Sequence, residues 1–426
     1  MTKQMIGTFL SAVALTAAAA PELKDYTVEQ NADRMVIVSF TLTEKAILTM
    51  DVLTNGVSIG AENYQTEREA MSNDDTFPAN KVVPAGSHVF TWRPVKEWPG
   101  YSFDKGELSV EVKAWSFDSP PDYMVLDSGS ISNFPAFYAT AADLPGGIKT
   151  ADPEDADAVA ALKNDPYRTT KIVMRKIPAA GVKWRMGSPE NESYRRENET
   201  PHYVTLTNDY YVSIYPMTFT QINKFCSGEE TPSVNPKHNT RYSDMRGSTY
   251  SWPEDGYNVG GRFAALRKRL GLRMDFLTEA EWEYACRAGT EGRWNHDGTT
   301  PDAVAWTGYT GGAKSHAVGL KLPNRWGLYD MHGLVNEWVL DRLGQYPTDA
   351  VIAPVGATGD EVKRVLRGGP QGIKWSDSVG YNKSPQISTR SAYRGSAKPD
   401  SSYDGNTNGY GIRLSCPASL PEWMRK

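Results

Sequence analysis

The fifteen residues from Asn324 to Trp338, NRWGLYDMHGLVNEW, constrain the fold of this chain more than any other stretch. They crowd large apolar and aromatic side chains together, and Gly327 and Gly333 supply the backbone freedom that tight turns between such residues need. The apolar positions follow neither a 3.6-residue nor a 2-residue period. The stretch therefore predicts short strands and turns in the core of a large, irregular domain.

A helix with a defined start is predicted upstream, in LTEAEWEYACRAG from Leu277 to Gly289. Thr278 and Glu281 have capping-box spacing, in which each side chain satisfies a free amide at the beginning of a helix. Gly289 is placed to end the helix. The face that this helix would bury carries Trp282, Ala285 and Cys286.

Charged and titratable residues near these motifs have ordinary structural explanations. Capping and solvation account for Glu279, Glu281 and Glu283 better than catalysis does. His202, in the phrase ETPHYV, has no second histidine or cysteine at a useful spacing. We therefore expect neighbouring loop groups to satisfy its ring nitrogens.

Taken in order, several segments resemble the sulfatase-modifying-factor domain, the family of the formylglycine-generating enzyme. They are LTEAEWEYACRAG, the opening stretch NRWGLYDMHGLVNEW, RGG at Arg367–Gly369, TRSAYR at Thr389–Arg394 and GYGIRL at Gly409–Leu414. The likeness begins near Lys171 and ends near Cys416. It implies an α+β domain of C-type-lectin-like topology, which we place at residues 167–420.

The first residues have the composition of a signal peptide. Lys3 precedes an apolar run from Met5 to Leu15, and the small residues Ala17–Ala20 offer a cleavage site. We expect a signal peptide at residues 1–20, export to the periplasm, cell surface or exterior, and no later membrane span. The net charge of −5, with no basic run, argues against a nucleic-acid partner.

Between the signal peptide and the family domain, the pattern changes to short alternating strands. VIVSFTL, ILTMDVL, SHVFTWRP and LSVEVKAW are separated by turn residues, which is typical of a small all-β sandwich of immunoglobulin-like kind. We assign this sandwich to residues 21–135. Residues 136–166, acidic and rich in alanine, are predicted to be a linker or a short exposed helix.

The three cysteines leave two alternatives for the redox state. In an exported protein, Cys286 on the helix and Cys416 after the closing strand could form a disulfide that joins the middle of the domain to its end. The alternative is a pair of buried free thiols. Cys226 stays unpaired in either case.

The resemblance implies metal sites that this sequence supports only in part. In the formylglycine-generating enzyme family, two cysteines between RGG and the following arginine-rich strand bind copper(I), but Pro370–Ser388 contains no cysteine. We therefore do not expect copper. The family's calcium phrase falls on Asn336 and Glu337, although Leu334 stands where the family has asparagine and cannot supply an oxygen. No other cofactor is expected.

The C-terminal loops have the composition of a recognition surface. They are rich in tyrosine and small polar residues, which give adaptable contacts at low entropic cost. They also resemble the variable region of C-type-lectin-fold proteins that retroelements diversify. The predicted ligand-binding surface comprises Trp375, Ser376, Ser378, Tyr381, Asn382, Arg390, Tyr393, Arg394, Ser401, Tyr403, Asn406 and Asn408.

Three functions remain open at this point. The favoured one is an exported, non-catalytic protein that binds a protein or glycan ligand, or displays a surface to one. The second is an enzyme of the resembled family, either an oxidase of a sulfatase cysteine or one with changed chemistry. The third is a structural component of the cell envelope.

Overall fold

The structure, a computed structural model, describes residues 20–31, 35–60, 80–92, 107–129, 135–226, 231–296, 301–306, 315–359, 362–369, 390–401 and 409–425. The predicted signal peptide lies outside the described residues, except for Ala20. Among the helices that are described, none has the length and apolar character that a bilayer crossing requires.

Strands dominate the described chain. In chain order they are β1 Leu23–Gln30, β2 Val36–Leu42, β3 Ala46–Thr54, β4 Val57–Ser58, β5 Lys81–Val83, β6 Gly86–Trp92, β7 Leu108–Trp115, β8 Tyr123–Asp127, β9 Ala136–Tyr138, β10 Lys171–Ile177, β11 Lys183–Met186, β12 His202–Thr205, β13 Tyr210–Ser213, β14 Ala305–Trp306, β15 His332–Gly333, β16 Asn336–Arg342, β17 Val351–Ile352, β18 Arg364–Arg367, β19 Gly395–Ala397, β20 Tyr410–Gly411 and β21 Ser415–Pro417.

The described helices are short, and all of them follow β9. They are α1 Ala156–Ala161, α2 Pro166–Thr169, α3 Phe219–Cys226, α4 Tyr242–Arg246, α5 Gly261–Leu270, α6 Glu279–Arg287 and α7 Glu422–Arg425, with 3-10 turns at Ala141–Asp143 and Leu162–Asn164. Helix α6 begins with the predicted capping box between Thr278 and Glu281. It ends at Arg287, Ala288 takes the cap position in the left-handed conformation, and Gly289 after it also has a positive φ, of +86°.

The N-terminal all-β region consists of two antiparallel sheets, one ordered β1-β2-β6 and the other β4-β3-β5 with β7 paired to β3. Strand β2 alternates between buried and partly exposed residues, as a strand with one face toward a core should. Its inner residues share one apolar cluster with residues of β3, β6 and β7, so the two sheets pack face to face. The predicted sandwich is therefore present, while its immunoglobulin-like topology stays a prediction.

The boundary between the two regions lies earlier than predicted. Strand β8, which we had assigned to the sandwich, and β9, which we had assigned to the linker, belong to a five-stranded sheet of the second domain ordered β21-β13-β10-β8-β9. Strand β8 pairs directly with β10 along Tyr123–Asp127. The alternation of a strand shows that one face is buried but not which sheet it joins, so the sequence could not place this boundary. The predicted short exposed helix does occur, as α1.

Three smaller sheets complete the second domain. Their orders are β11-β12-β17, β14-β15 and β19-β18-β16-β20. The Asn324–Trp338 stretch contributes β15 and the start of β16 and is buried at Leu328, Met331, Val335 and Trp338. Gly333 has a φ of +76°, and a Cβ atom there would lie 2.1 Å from the carbonyl oxygen of Trp306. Only glycine fits this approach, as the sequence pattern indicated.

One residue of the sandwich packs into the core of the second domain. Ile47 on β3 is fully buried in a cluster with Met124 and Phe137, which belong to the five-stranded sheet. The β3 strand is accordingly buried on both faces from Ala46 to Met50. The sandwich and the second domain therefore share part of their apolar core.

We predict that Ile47→Ala destabilises the whole chain by about 2–5 kcal/mol, because it removes buried methyl groups and leaves a cavity between the two regions. Urea unfolding followed by tryptophan fluorescence measures the change. Val57→Ala, at a strand position that is 68% exposed, is the matched control and should change the free energy of unfolding by less than about 0.5 kcal/mol. Equal effects of the two substitutions would contradict the shared core.

Candidate functional site

The arginines of the RGG and TRSAYR motifs lie in the interior of the domain. Arg367 on β18 and Arg390 are fully buried, and Arg394 is 3% exposed. A buried guanidinium needs a carboxylate partner, because an unpaired charge in the interior is very costly. Each of the three has such a partner.

Helix α6 supplies two of these partners. Glu279 accepts two hydrogen bonds from Arg394, from Nε at 2.7 Å and from Nη2 at 2.8 Å, and also lies 3.3 Å from Nε of Arg367. Glu283 accepts from Nη2 of Arg367 at 2.5 Å and from Nε of Arg287 at 2.9 Å. The guanidinium groups of Arg287 and Arg367 hold the pKa of Glu283 below its ordinary value despite its burial.

The loop before β12 supplies the partner of Arg390. Glu199 accepts from Nη1 at 2.8 Å and from Nη2 at 2.7 Å, so the pair is bidentate, and Glu192 accepts a further bond at 2.5 Å. Both Arg390 and Glu199 have no exposed side-chain surface. We call the set Glu199, Glu279, Glu283, Arg367, Arg390 and Arg394 the buried ion network.

This network corrects two predictions. Arg390 and Arg394 were assigned to the ligand-binding surface, but their donors are directed at interior carboxylates and carbonyls. Glu279 and Glu283 were assigned to solvated positions, but they are buried. A count of charges on one helix cannot reveal partners more than eighty residues away. The arginines in the downstream motifs were the available signal, because buried arginines need carboxylate partners such as these two glutamates.

The other residues of the predicted surface are only partly described. Tyr393 is half-buried, with the guanidinium of Arg196 4.6 Å from its ring centre, and Ser401 is also half-buried. The remaining predicted members, Trp375, Ser376, Ser378, Tyr381, Asn382, Tyr403, Asn406 and Asn408, lie outside the described residues.

Of the two alternatives for Cys286 and Cys416, the structure has the pair of buried free thiols. Cys226, Cys286 and Cys416 are all buried free thiols, and Cys286 belongs to a different apolar cluster from Cys416. Cys286 instead lies 3.6 Å from Nε2 of His332. Burial raises the pKa of Cys226 to about 11 and the pKa values of Cys286 and Cys416 to about 12. These thiols are protonated near neutral pH and do not fit copper(I), which takes thiolates.

The predicted calcium position is occupied by an internal ion pair. Both oxygens of Glu337 accept hydrogen bonds from Arg413, and Oε2 also accepts from Nε1 of Trp282 at 2.7 Å. A calcium ion would have to displace this guanidinium. Asn336 is buried in β16 beside Tyr410. Within the described residues, no group of three or more acidic, histidine or cysteine side chains is arranged to hold a metal ion.

A cavity of about 410 Å³ lies next to the buried ion network. Its polar lining includes His202, Glu279, Asp341 and Arg394, and its apolar lining includes Met186 and the segment Val351–Ala357. Asp341 is 2% exposed, and its Oδ2 accepts the backbone N–H of Glu279 at 2.7 Å. Burial, followed by the nearby charge of Glu279, raises the pKa of Asp341 to about 8. Asp341 therefore holds its proton near neutral pH.

The fold and the buried ion network define a class: an irregular α+β domain whose motif arginines bind its own glutamates. The chain belongs to the family of the sulfatase-modifying factor enzyme 1-like domain, whose model matches residues 176–415. The family predicted from the ordered motifs is thus confirmed.

The individual relatives share about a quarter or less of their aligned residues with this chain. The serine/threonine-protein kinase pkn1 of Chlamydia pneumoniae is 26% identical over 275 residues, which are 61% of this chain and 42% of the kinase. The chain therefore spans less than half the length of that relative. Among solved structures, PvdO from Pseudomonas aeruginosa is 24% identical with a TM-score of 0.44, and the match covers 57% of this chain and 94% of PvdO. Treponema denticola variable protein 1 is 21% identical with a TM-score of 0.45, covering 58% and 95%.

We predict that Glu283→Gln destabilises the protein by about 3–5 kcal/mol, because it removes the charge that neutralises two buried guanidinium groups. Urea unfolding at neutral pH measures the loss. Glu291→Gln, at an exposed position after the same helix, is the control and should cost less than about 0.5 kcal/mol. A Glu283→Gln protein as stable as the control would show that the ion network does not hold the fold.

We also predict a pH dependence of stability that comes from Asp341. Its folded-state pKa of about 8 lies above the unfolded value, so the native state binds the extra proton and stability falls as pH rises from about 4 to 8. The slope should be about 1.4 kcal/mol per pH unit for one proton. Asp341→Asn should remove this slope, measured by urea unfolding between pH 5 and pH 8. An unchanged slope in the variant would contradict the assignment.

Proposed function

We propose that this protein is an exported, non-catalytic ligand-binding protein built on a sulfatase-modifying-factor-like domain. The observation that carries the proposal is the buried ion network. Arg367, Arg390 and Arg394, the charged residues of the family motifs, bind interior glutamates. Arginines whose donors bind interior glutamates are not available to bind a substrate. We therefore place the ligand contacts in the segments between the motifs.

The composition of the chain supports the absence of the family's oxidase chemistry. Copper(I) binding requires soft thiolate ligands, and Pro370–Ser388 contains none. The cysteines that the chain does have are buried, and burial raises their pKa values. We therefore propose that neither copper nor another cofactor is used.

The ligand surface is proposed to lie in the segments around Trp375, Tyr381 and Tyr403. Aromatic residues among serine, asparagine and glycine give broad contacts with hydrogen-bonding groups around them, which suits a protein or a glycan. The acidic net charge of −5 disfavours nucleic acid. Export is proposed from the charged and apolar pattern of residues 1–20, with the periplasm, cell surface or exterior as the destination.

A copper titration tests the non-catalytic part of the proposal. The purified protein is titrated with copper(I) against a chelating competitor and then incubated with oxygen and a sulfatase-type cysteine peptide, which is analysed by mass spectrometry. We expect no stoichiometric copper binding and no aldehyde product. Tight uptake of one copper ion together with conversion of the cysteine would establish the alternative, an oxidase that acts on a sulfatase cysteine.

Glycan and protein arrays test the binding part. Once an array gives a ligand, Trp375→Ala and Tyr381→Ala should each weaken its binding by at least about tenfold, because each removes an aromatic contact worth about 1.4 kcal/mol or more. The control is Tyr203→Ala, at a tyrosine on β12 that is 51% exposed. Equal affinities of all three variants and the original protein would place the ligand surface elsewhere.

A further inference from the structure

The cavity beside Asp341 is lined by hydrogen-bond acceptors, of which Nε2 of His202 is one. His202 places Nδ1 3.0 Å from the carbonyl oxygen of Thr200. A carbonyl oxygen only accepts, so Nδ1 carries the proton and Nε2 of the neutral ring is an acceptor. Nε2 receives no hydrogen bond from the residues that the structure describes. The ring is held in place against Tyr346, at 4.8 Å between ring centres.

Asp341 supplies a second acceptor when its carboxyl group is ionised. Its Oδ2 is bonded to the backbone of Glu279, but Oδ1 makes no hydrogen bond within the described part of the chain. Gly356 borders this oxygen, and a Cβ atom at Gly356 would lie 2.9 Å from Oδ1. Asp341 is therefore a buried side chain with one unpartnered polar atom on the lining of a cavity.

The guanidinium group of Arg394, which lines the same cavity, already donates to protein acceptors. Arg394 donates to both oxygens of Glu279 and to the carbonyl oxygens of Asn198 and Gly344. An anionic ligand would find no free cation there. A ligand that brings its own donors and positive charge would instead meet Nε2 of His202 and, once the carboxyl group ionises, Oδ1 of Asp341. Gln345 and Tyr346 add polar groups to the lining, while Met186, Val351 and Pro354 are apolar.

We propose that this cavity binds a small primary amine, whose ammonium group donates to Oδ1 of Asp341 and whose apolar body packs against the Val351–Ala357 segment. His202 supplies a further acceptor through Nε2. A cavity of about 410 Å³ suits a ligand of this size, since small-molecule pockets measure roughly 300–1,000 Å³. Amine binding in this cavity does not rest on the proposed recognition surface, so either can exist without the other.

Binding should release a proton. Burial and the charges of Glu279 and Glu281 on helix α6 raise the pKa of Asp341, and the charge of Arg394 lowers it. His202 is another titratable side chain that lines the cavity with Glu279 and Arg394. Near neutral pH the Asp341 carboxyl is protonated. When the ammonium group enters, it stays charged, the carboxyl ionises, and one proton leaves for solvent. Affinity should therefore rise from pH 6 to pH 8, as the cost of removing that proton falls.

Isothermal titration calorimetry of the full chain with phenethylamine tests the proposal. We expect at least about tenfold tighter binding at pH 8 than at pH 6. Titrations at pH 7 in phosphate and in HEPES, neither of which is a primary amine, should show release of close to one proton per ligand. Phenethyl alcohol, which lacks the charge, should bind at least about tenfold more weakly than the amine at pH 8. Absence of binding at both pH values, or equal binding of the alcohol, would overturn the proposal.

Two variants assign the effect to Asp341. Asp341→Asn keeps an oxygen for the Glu279 N–H and should lose at least about tenfold in affinity together with the pH dependence. Asp349→Asn, at an exposed position on the same connection, should bind like the original protein. Circular dichroism checks that both variants are folded. Unchanged binding or a persisting pH dependence in a folded Asp341→Asn protein would overturn the assignment.

A lysine side chain carries the same chemistry, so N-acetyl-lysine methylamide is titrated in parallel. Tighter binding of phenethylamine assigns the cavity to free amines, as proposed. Tighter binding of the lysine derivative would overturn this choice and assign the cavity to a lysine of a partner protein.

Discussion

Burial of charge is the constraint on which the second domain depends. Arg367 and Arg394 meet at Glu279, and Arg367 and Arg287 meet at Glu283, so helix α6 is joined to β18 and to the segment before β19. Each of these groups is nearly inaccessible to water. An ion pair of this kind adds little stability compared with apolar packing, but removal of one partner is strongly destabilising. The network therefore fixes which segments must lie together.

The ion pairs that stabilise this fold are distinct from any groups that would carry out a reaction. Family membership rests on residues 176–415, and the motifs that give it are the ones whose arginines point inward. A scaffold held by its own ion pairs can lose a metal site in a neighbouring segment without losing its shape. For that reason the fold alone does not assign an activity to this chain.

Local features of the sequence predicted local features of the structure. The capping box at Thr278 and the buried stretch up to Trp338 follow from short-range sterics and local composition. Other features depend on contacts between distant segments. They are the burial of Glu279, the pairing of β8 with β10, and the choice between free thiols and a disulfide at Cys286 and Cys416. No spacing within a segment encodes those contacts, so the sequence alone could not supply them. The cavity at Asp341 was missed for the same reason.

A double-mutant cycle on Arg390 and Glu199 tests this account most directly, because Arg390 was first expected on a ligand surface and the structure buries it. Arg390→Met, Glu199→Gln and the double variant are compared by urea unfolding. The account predicts that each single substitution costs about 3–5 kcal/mol, and that the double variant costs less than their sum by at least about 1 kcal/mol. Single variants as stable as the original protein, with no coupling between them, would contradict it.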